Sequence, residues 1–512
     1  MEQKIKILFV NPSLREGHSI LPVGLASVMT VVQQAGYEFE LLDIDIHEYS
    51  DEHVDKYFAD NKFDVVMSGS IITHYKWMKW LASTIKKHQP EATVVFGNSI
   101  GGSCPEVLFA SCPVDIGIKG EGEYTAVEVI KSLNEGAELA SVEGIIYRDS
   151  NGNVRKNLPR KACNINELPH INWGLFDIDL YMSKTAGVSL GRAGKDKEVS
   201  RPFSIATARG CAFKCTFCHY VFWDDPYRFR KPELVMEEIK SHIDTYGANL
   251  FNFWDDLSFA SLPQVEKMVD EILKSGLKFE WSAAIRTDLF GKEKVPYERK
   301  LEIAHKMRKS GCTAVGFSLE SANKEILEMM NKKIEPEYFS EQIKILKEAK
   351  ITSNTSVVFG YPMETEETIK ETFDMCYKNK VYPSMGFLLP LPYTGMYEYA
   401  KEHGFIKDED AYLDLITERQ DICVNMTQMT EERIMECIKE GASKLNELLS
   451  LGLTEDRYIR TGATENNVNP EEQFKDDKKR GVDPDNMERN VNDFSFNYSE
   501  AVFDMDYGSK EE

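Results

Sequence analysis

Cys211, Cys215 and Cys218 stand in the run Arg-Gly-Cys-Ala-Phe-Lys-Cys-Thr-Phe-Cys-His, with three residues between the first pair and two between the second. Three thiolates on one short loop can hold three corners of a cubane iron–sulfur cluster. The fourth iron is then left without a protein ligand, and an open metal position is where chemistry takes place. A structural zinc or a purely structural cluster closes with four protein ligands instead. A zinc knuckle would need such a fourth ligand, yet the chain has no second Cys-x-x-Cys, and His219 follows Cys218 too directly to serve. Gly210, one residue ahead of the first thiol, permits the turn that wraps a loop around a cluster.

A loop of this kind has to be carried by regular elements. Residues 1 to about 135 alternate short apolar strands (4–11, 39–43, 64–70, 93–97 and 115–119) with helical stretches such as 23–35 and 75–88. Repeated β-α units at this spacing predict a doubly wound parallel sheet, whose ligands bind at the carboxyl ends of the strands. Those ends carry Asn11, Ser68, Ser70, Gly97, Gly120, Glu121 and Gly122, small or polar residues that let a large flat ligand approach the backbone. Taken singly, each reads first as an ordinary tight turn. Residues 142–157 read as a hairpin with Asn151-Gly152 at its turn, and 158–199 as a linker.

From 200 to 391 strands (203–208, 250–255, 279–286, 314–318, 352–359 and 385–390) again alternate with helices (near 232–245, 263–275, 298–309, 335–349 and 365–378). Six such units fit a partial (β/α)6 barrel with its functional residues at the carboxyl ends of the strands. Helices follow near 397–404 and 430–450; beyond Thr454 the composition turns to Asp, Glu, Asn and Lys without a period and reads as a disordered acidic tail. The expected fold class is α/β in five segments: an N-terminal unit (1–140), hairpin and linker (141–199), barrel (200–395), helical extension (396–453) and tail (454–512).

The cysteine spacing, with Phe217 before the last thiol and a strand ahead of the loop, resembles the cluster loop of the radical S-adenosylmethionine superfamily. That resemblance implies a [4Fe-4S] cluster whose open iron chelates S-adenosylmethionine and whose electron releases a 5′-deoxyadenosyl radical. It also implies an external donor of the flavodoxin or ferredoxin type. The N-terminal unit resembles the Rossmann-like cobalamin-binding domain that precedes many such barrels, through Asn11-Pro12, Pro22-Val-Gly24-Leu-Ala26, Val94-Val-Phe-Gly97 before Pro105-Glu106, and Gly-Glu-Gly-Glu at 120–123. Two departures stand out: Asn98 occupies a position where relatives commonly carry glycine, and no Asp-x-His-x-x-Gly follows the first strand. Asp45-Ile-His47 follows the second strand and ends in Ser50, which reads as coincidence, so the resemblance implies cobalamin without a histidine ligand.

Carried over strand by strand, the resemblance puts Asp255 beside the ammonium of the bound nucleoside's methionine moiety, a helix N-cap being the alternative for it and the preferred role for Asp256. Arg286 is matched to a carboxylate or a salt bridge, Ser318 and Glu320 to the ribose hydroxyls, and Gly360 to the adenine side. Leu391-Pro392-Tyr-Thr394-Gly395 resembles the final strand end of the same branch. The remaining seven cysteines are scattered and read as structural. Tyr220, Phe222, Trp223 and Tyr227 read as packing beneath the loop or as a stacking platform.

Composition narrows the function. A net charge of −23 disfavours nonspecific nucleic-acid binding. No apolar run approaches the ~20 residues that span a bilayer, and ten cysteines without a secretory pattern suit reduced thiols in a cytoplasm poor in oxygen. The expectation is a cobalamin-dependent radical enzyme acting on a small molecule, foremost a methyltransferase at an unactivated carbon. Radical cyclisation or rearrangement on the same architecture, a methylthiolase-like modifier without cobalamin, and a non-catalytic iron–sulfur or corrinoid sensor are the alternatives.

Overall fold

The computed structural model describes residues 5–13, 20–185, 201–219, 225–292, 294–416 and 422–459. The first sheet is built from β1 (Ile7–Asn11), β2 (Glu40–Asp43), β3 (Val65–Gly69), β4 (Thr93–Gly97) and β5 (Ile116–Ile118), all parallel, in the order β2-β1-β3-β4-β5. This is the flavodoxin-type winding, with its switch point between β1 and β3. β1 is buried along its whole length because helices cover both faces, as its unbroken apolar run requires.

The hairpin forms, but not as part of a linker. β6 (Ile145–Arg148) and β7 (Val154–Lys156) pair antiparallel onto β5 and extend the first sheet to seven strands. Ile145 and Ile146 are buried there, so the hairpin has an apolar face to satisfy that a free linker would leave wet. Residues 158–185 are also more ordered than their polar composition suggests, and 186–199 fall outside the described residues. Trp173 is buried edge-on against Phe203, and Tyr181 donates to Asp43 and accepts from Asn11.

The second sheet takes up β8 (Pro202–Ile205), then skips a small antiparallel ribbon of β9 (Ala208–Arg209) with β10 (Arg228–Phe229). It continues through β11 (Leu250–Phe253), β12 (Glu280–Ala284), β13 (Cys312–Glu320), β14 (Thr352–Phe359) and β15 (Ser384–Phe387). The six main strands are parallel and in sequential order, an open barrel. Strand 203–208 of the sequence reading is thus split. Asp255 accepts hydrogen bonds from the backbone of Thr207 and Ala208, which bends the chain out of the barrel and into the ribbon. The helix Glu409–Leu415 was not anticipated, and the expected tail begins later than 454: Glu455–Arg457 forms a 3-10 turn and Tyr382 donates to the Tyr458 carbonyl. Residues 460–512, with the rest of the expected tail, lie outside the described residues. Among those described, no helix is long and apolar enough to cross a membrane.

Tyr181 is what fastens the segment between the sheets to the end of β1. Tyr181→Phe removes the donor from buried Asp43, and a loss of about 1–3 kcal/mol is expected by chemical denaturation.

Candidate functional site

The carboxyl ends of both sheets face one cavity of about 690 Å³, within the range that takes small-molecule and cofactor ligands. From the first sheet it is lined by Ser68, Gly69, Gly97, Asn98 and the Gly120–Glu123 turn; from the barrel by Arg209, Gly210, Trp254, Asp255, Asp256 and Gly316. Its floor against the first sheet is apolar, with Phe9, Val28, Met67, Val95 and Ile118. A Cβ on Gly69 would stand 3.1 Å from the Gly97 carbonyl carbon, and one on Gly122 would meet Val28 at 3.2 Å. Asn98 takes φ +57, the left-handed conformation that glycine adopts most readily and asparagine next. The residue that departs from the expected glycine therefore keeps the backbone glycine would give.

Among the sequence candidates, Ser68, Gly97, Gly120, Glu121, Gly122 and Asp255 line this cavity. Ser68 does so with its hydroxyl already committed to the Val10 carbonyl at 2.9 Å. Asn11 and Ser70 stand apart from the lining. Asn11 is buried and donates to Asp43 and Tyr181, while the Ser70 hydroxyl meets Nδ1 of His74 at 3.1 Å. Both face inward because the strand end is capped by neighbouring chain rather than left open. His47 is not among the lining residues; its ring stacks on Tyr49.

The cysteine loop leaves the cavity at Gly210, whose φ of +86 makes the turn that the sequence anticipated. It is pinned from two sides. Thr216 donates twice to the 329–330 carbonyls: its N–H to Met330 (2.9 Å) and its hydroxyl to Met329 (2.8 Å). Asn331 donates to the Lys214 carbonyl at 2.6 Å. From the other side the Met396 N–H reaches the Thr216 carbonyl at 3.0 Å. Burial pushes the Cys218 thiol up to about 12, and the charges of Cys215, Asp256 and Cys211 add to it. Burial likewise raises Cys211, while the Arg286 cation opposes it. The three sulfurs thus share one electrostatic neighbourhood. Among the described residues no three His, Cys, Asp or Glu groups converge as ligands of one ion. His219 is half-buried with both ring nitrogens shielded, and it is held neutral, its pKa lowered to about 4 chiefly by desolvation.

Arg286, Ser318, Glu320 and Gly360 gather at the barrel strand ends beside this loop, outside the lining of the large cavity. The Arg286 guanidinium lies 3.4 Å from the Phe213 ring centroid and donates to Asp288 (3.0 Å) and to the Lys332 carbonyl (2.6 Å). It realises the salt bridge and braces the loop. Glu320 is buried, pairs with Lys332 at 2.5 Å, and sits at a register shift of β13 with φ +63. The Ser318 and Ser356 hydroxyls bond at 2.6 Å, and the Gly360 N–H reaches Glu364 at 3.3 Å. Asp255 is no N-cap: it accepts from the Thr207 N–H (2.8 Å), the Thr207 hydroxyl (2.5 Å) and the Ala208 N–H (3.0 Å), with burial pushing its pKa up to about 6. Asp256 is no N-cap either, since the next helix starts at Leu262 behind Ser261; it lines the cavity instead. Tyr227 donates to the Ser258 carbonyl and packs beneath the loop, whereas Tyr220, Phe222 and Trp223 lie outside the described residues.

Sequence reasoning missed the charge cluster that joins the two units. Arg209, on the ribbon directly ahead of the cysteine loop, pairs with Glu123 and with Glu121 (3.1 Å). Arg228 grips Glu121 bidentately at 2.7 and 2.9 Å, the Cys163 N–H adds a third donor to it, and Ser27 donates to Glu123. Gly-Glu-Gly-Glu was the available signal, but nothing in sequence tied it to arginines 86 to 107 residues away. Lys332 carried no signal at all. Burial would raise the Glu121 pKa, but the Arg228 hydrogen bonds and the Arg209 charge bring it down to about 2.

The comparisons with known proteins fit this division. Residues 205–376 match the Radical SAM superfamily and residues 16–130 the B12 binding domain. The protein named "Uncharacterized methyltransferase PH0819" of Pyrococcus horikoshii is 28% identical over 408 residues, covering 77% of this chain and 83% of its own. The anaerobic magnesium-protoporphyrin IX monomethyl ester cyclase of Rubrivivax gelatinosus is 24% identical over 423 residues, 80% and 72% of the two chains. Among solved structures, the radical S-adenosylmethionine methyltransferase TsrM from Kitasatospora setae, with cobalamin and a [4Fe-4S] cluster bound, superposes with a TM-score of 0.60 at 19% identity, over 79% of this chain and 76% of that one.

Two outcomes are expected at the interdomain charge cluster. Arg209→Gln leaves buried Glu123 without its cation and lowers stability by about 3–5 kcal/mol in urea unfolding. Because the Glu121 pKa is depressed on folding, from its ordinary 4.5 to about 2, its contribution is complete above pH 4.5 and fades as the pH falls through 2. Glu121→Gln flattens the acid-stability profile across that window.

Proposed function

From the premise that this chain belongs to the radical SAM superfamily, with a B12-binding domain ahead of its barrel, we propose that it is a cobalamin-dependent radical S-adenosylmethionine methyltransferase acting on an unactivated carbon of a small molecule. The carrying observation is the single cavity walled by the carboxyl ends of both sheets and reaching Gly210 beside the cysteine loop. In this reading residues 1–140, extended by the hairpin, form the corrinoid unit and 200–395 the radical unit.

Cys211, Cys215 and Cys218 hold the [4Fe-4S] cluster. Asp255, Arg286, Ser318, Glu320 and Gly360 border the S-adenosylmethionine site, with Lys332 as a further cation. Ser68, Gly97, Gly120, Glu121 and Gly122 form the cobalamin cradle, which Asn11 and Ser70 support from behind. When bound, these groups supply an electron, a 5′-deoxyadenosyl radical and a transferable methyl group. The chain's own part is placement. Glycines at 69, 97, 120 and 122 let a flat ligand lie close on the strand ends. The Arg209–Glu123 pair holds the cysteine loop against the turn that lines the cradle. Bringing reactants into contact in a cavity screened from water is a large share of what a protein contributes to such chemistry.

The phosphonate methyltransferase of Streptomyces wedmorensis, 24% identical over 496 residues, supports methyl transfer. The magnesium-protoporphyrin cyclases favour a second reading, radical ring formation on the same site. An external electron donor of the flavodoxin or ferredoxin type completes the proposal.

Anaerobic reconstitution with iron, sulfide and hydroxocobalamin tests it. The full chain is expected to bind a cluster and a corrinoid and to cleave S-adenosylmethionine to 5′-deoxyadenosine under a strong reductant; Cys215→Ala is expected to lose that cleavage by at least a hundredfold. S-adenosylhomocysteine appearing with substrate supports methyl transfer, its absence during turnover supports ring formation, and iron without nucleoside cleavage in the presence of substrate overturns both.

A further inference from the structure

Among the described residues, four carboxylates line the cavity between the sheets: Glu121, Glu123, Asp255 and Asp256. Three are answered within the protein, the glutamates by Arg209 and Arg228 and Asp255 by the Thr207 and Ala208 donors. Asp256 has neither an ion pair nor a donor from another described residue. Its side chain is exposed to the cavity, yet the enclosing protein raises its pKa by desolvation. A cation brought from outside would stabilise an anion in that position. Trp254, two residues earlier, is equally unused. Its N–H continues the ladder to the Ile205 carbonyl at 2.9 Å, so the alternation of β11 runs on past Phe253. Phe253 is buried and stacks on Trp281, centroids 4.9 Å apart at 14°, whereas Trp254 lines the cavity and is 49% exposed. Its indole makes no ring contact or hydrogen bond with the described residues, which leaves apolar area for a ligand to take out of water. Asn252, one step deeper on the same strand, accepts the Ser282 hydroxyl on Oδ1 at 2.8 Å and keeps its amide N–H groups unspent. Ala206, Ala284 and Gly316 line the same stretch of barrel, and a Cβ on Gly316 would meet nothing within 4 Å, so this part of the cavity has room. An aromatic face and a carboxylate at alternate positions of one strand suit an organic cation. The ring quadrupole attracts the charge and the carboxylate takes its N–H groups.

We propose that Trp254 and Asp256 hold a protonated amine of the substrate, with Asn252 bonding a polar group deeper in the barrel, so that the molecule acted on is an amine. The inference rests on the reading of this chain as a radical enzyme with its cluster at Cys211, Cys215 and Cys218. The charge of Asp256 is felt at Cys211 and Cys218, so a substrate held there stands beside the cluster. A sulfonium nucleoside carries the same kind of charge, and cleavage measured without substrate tells the two sources apart.

The experiment uses the full-length chain reconstituted anaerobically with iron, sulfide and hydroxocobalamin, the cluster kept oxidised, and three probes of similar shape: phenethylamine, 2-phenylethanol and 3-phenylpropionate. Ligand-observed magnetic resonance titration is expected to show phenethylamine binding about tenfold more tightly than 2-phenylethanol, with 3-phenylpropionate weakest. Asp256→Asn removes that preference, and Trp254→Leu weakens phenethylamine by about threefold or more. Both variants load iron, sulfide and corrinoid as wild type does and cleave S-adenosylmethionine at the wild-type rate without substrate. Phenethylamine bound no better than 2-phenylethanol, or equally by wild type and Asp256→Asn, overturns the inference. Loss of substrate-free cleavage in a normally loaded Asp256→Asn assigns the carboxylate to the nucleoside, and loss of corrinoid in Trp254→Leu assigns the indole to the cradle. Either result also overturns the inference and leaves the parent reading standing. A wild-type chain that takes up no cluster overturns both.

Discussion

Glu121 and Glu123 are enclosed carboxylates in the turn and helix that follow β5, and among the described residues their charges are met by arginines from the ribbon that opens the cysteine loop. Two buried anions without cations would not be tolerated, so the two units must dock in the one orientation that brings Arg209 and Arg228 to them. That requirement fixes where the loop starts, and hence where the cavity meets it. The pairs contribute more to register than to net stability, because desolvation offsets much of the Coulomb attraction at buried sites.

The geometry then follows from a shared rule of parallel sheets. In both the open doubly wound sheet and the barrel, the carboxyl ends of the strands are where loops leave and ligands sit. Docking the two sheets end to end makes one chamber out of two half-sites. The ribbon of β9 and β10 belongs to neither sheet, and Asp255 holds the Thr207 and Ala208 amides out of the barrel strand where it begins.

Most of the strands and long helices were legible in sequence, since buried parallel strands are short apolar runs and the helices between them are strongly periodic. The three thiols and Gly210 were legible because a loop motif is local. The strand order was not: β-α alternation is compatible with several windings, and only the pairing of β1 with both β2 and β3 selects one. The hairpin was recognised from Asn151-Gly152, but its attachment to β5 depends on partners some thirty residues away. The N-cap reading of Asp256 fails because the helix starts late, at Leu262, and the partners that turn Asn11 and Ser70 inward, Tyr181 and His74, are set by tertiary structure. Lys332 and the arginine partners of the Gly-Glu-Gly-Glu turn are contacts of tertiary structure alone.

Glu320 carries a left-handed backbone at the carboxyl end of the barrel's longest strand. Glycine would occupy that conformation with less strain, since sparsely populated conformations cost of order 1–3 kcal/mol. Selecting variants for thermal tolerance alone would therefore push position 320 toward glycine and strip away the carboxylate that pairs with Lys332. Robustness and chemistry pull in opposite directions at this one residue.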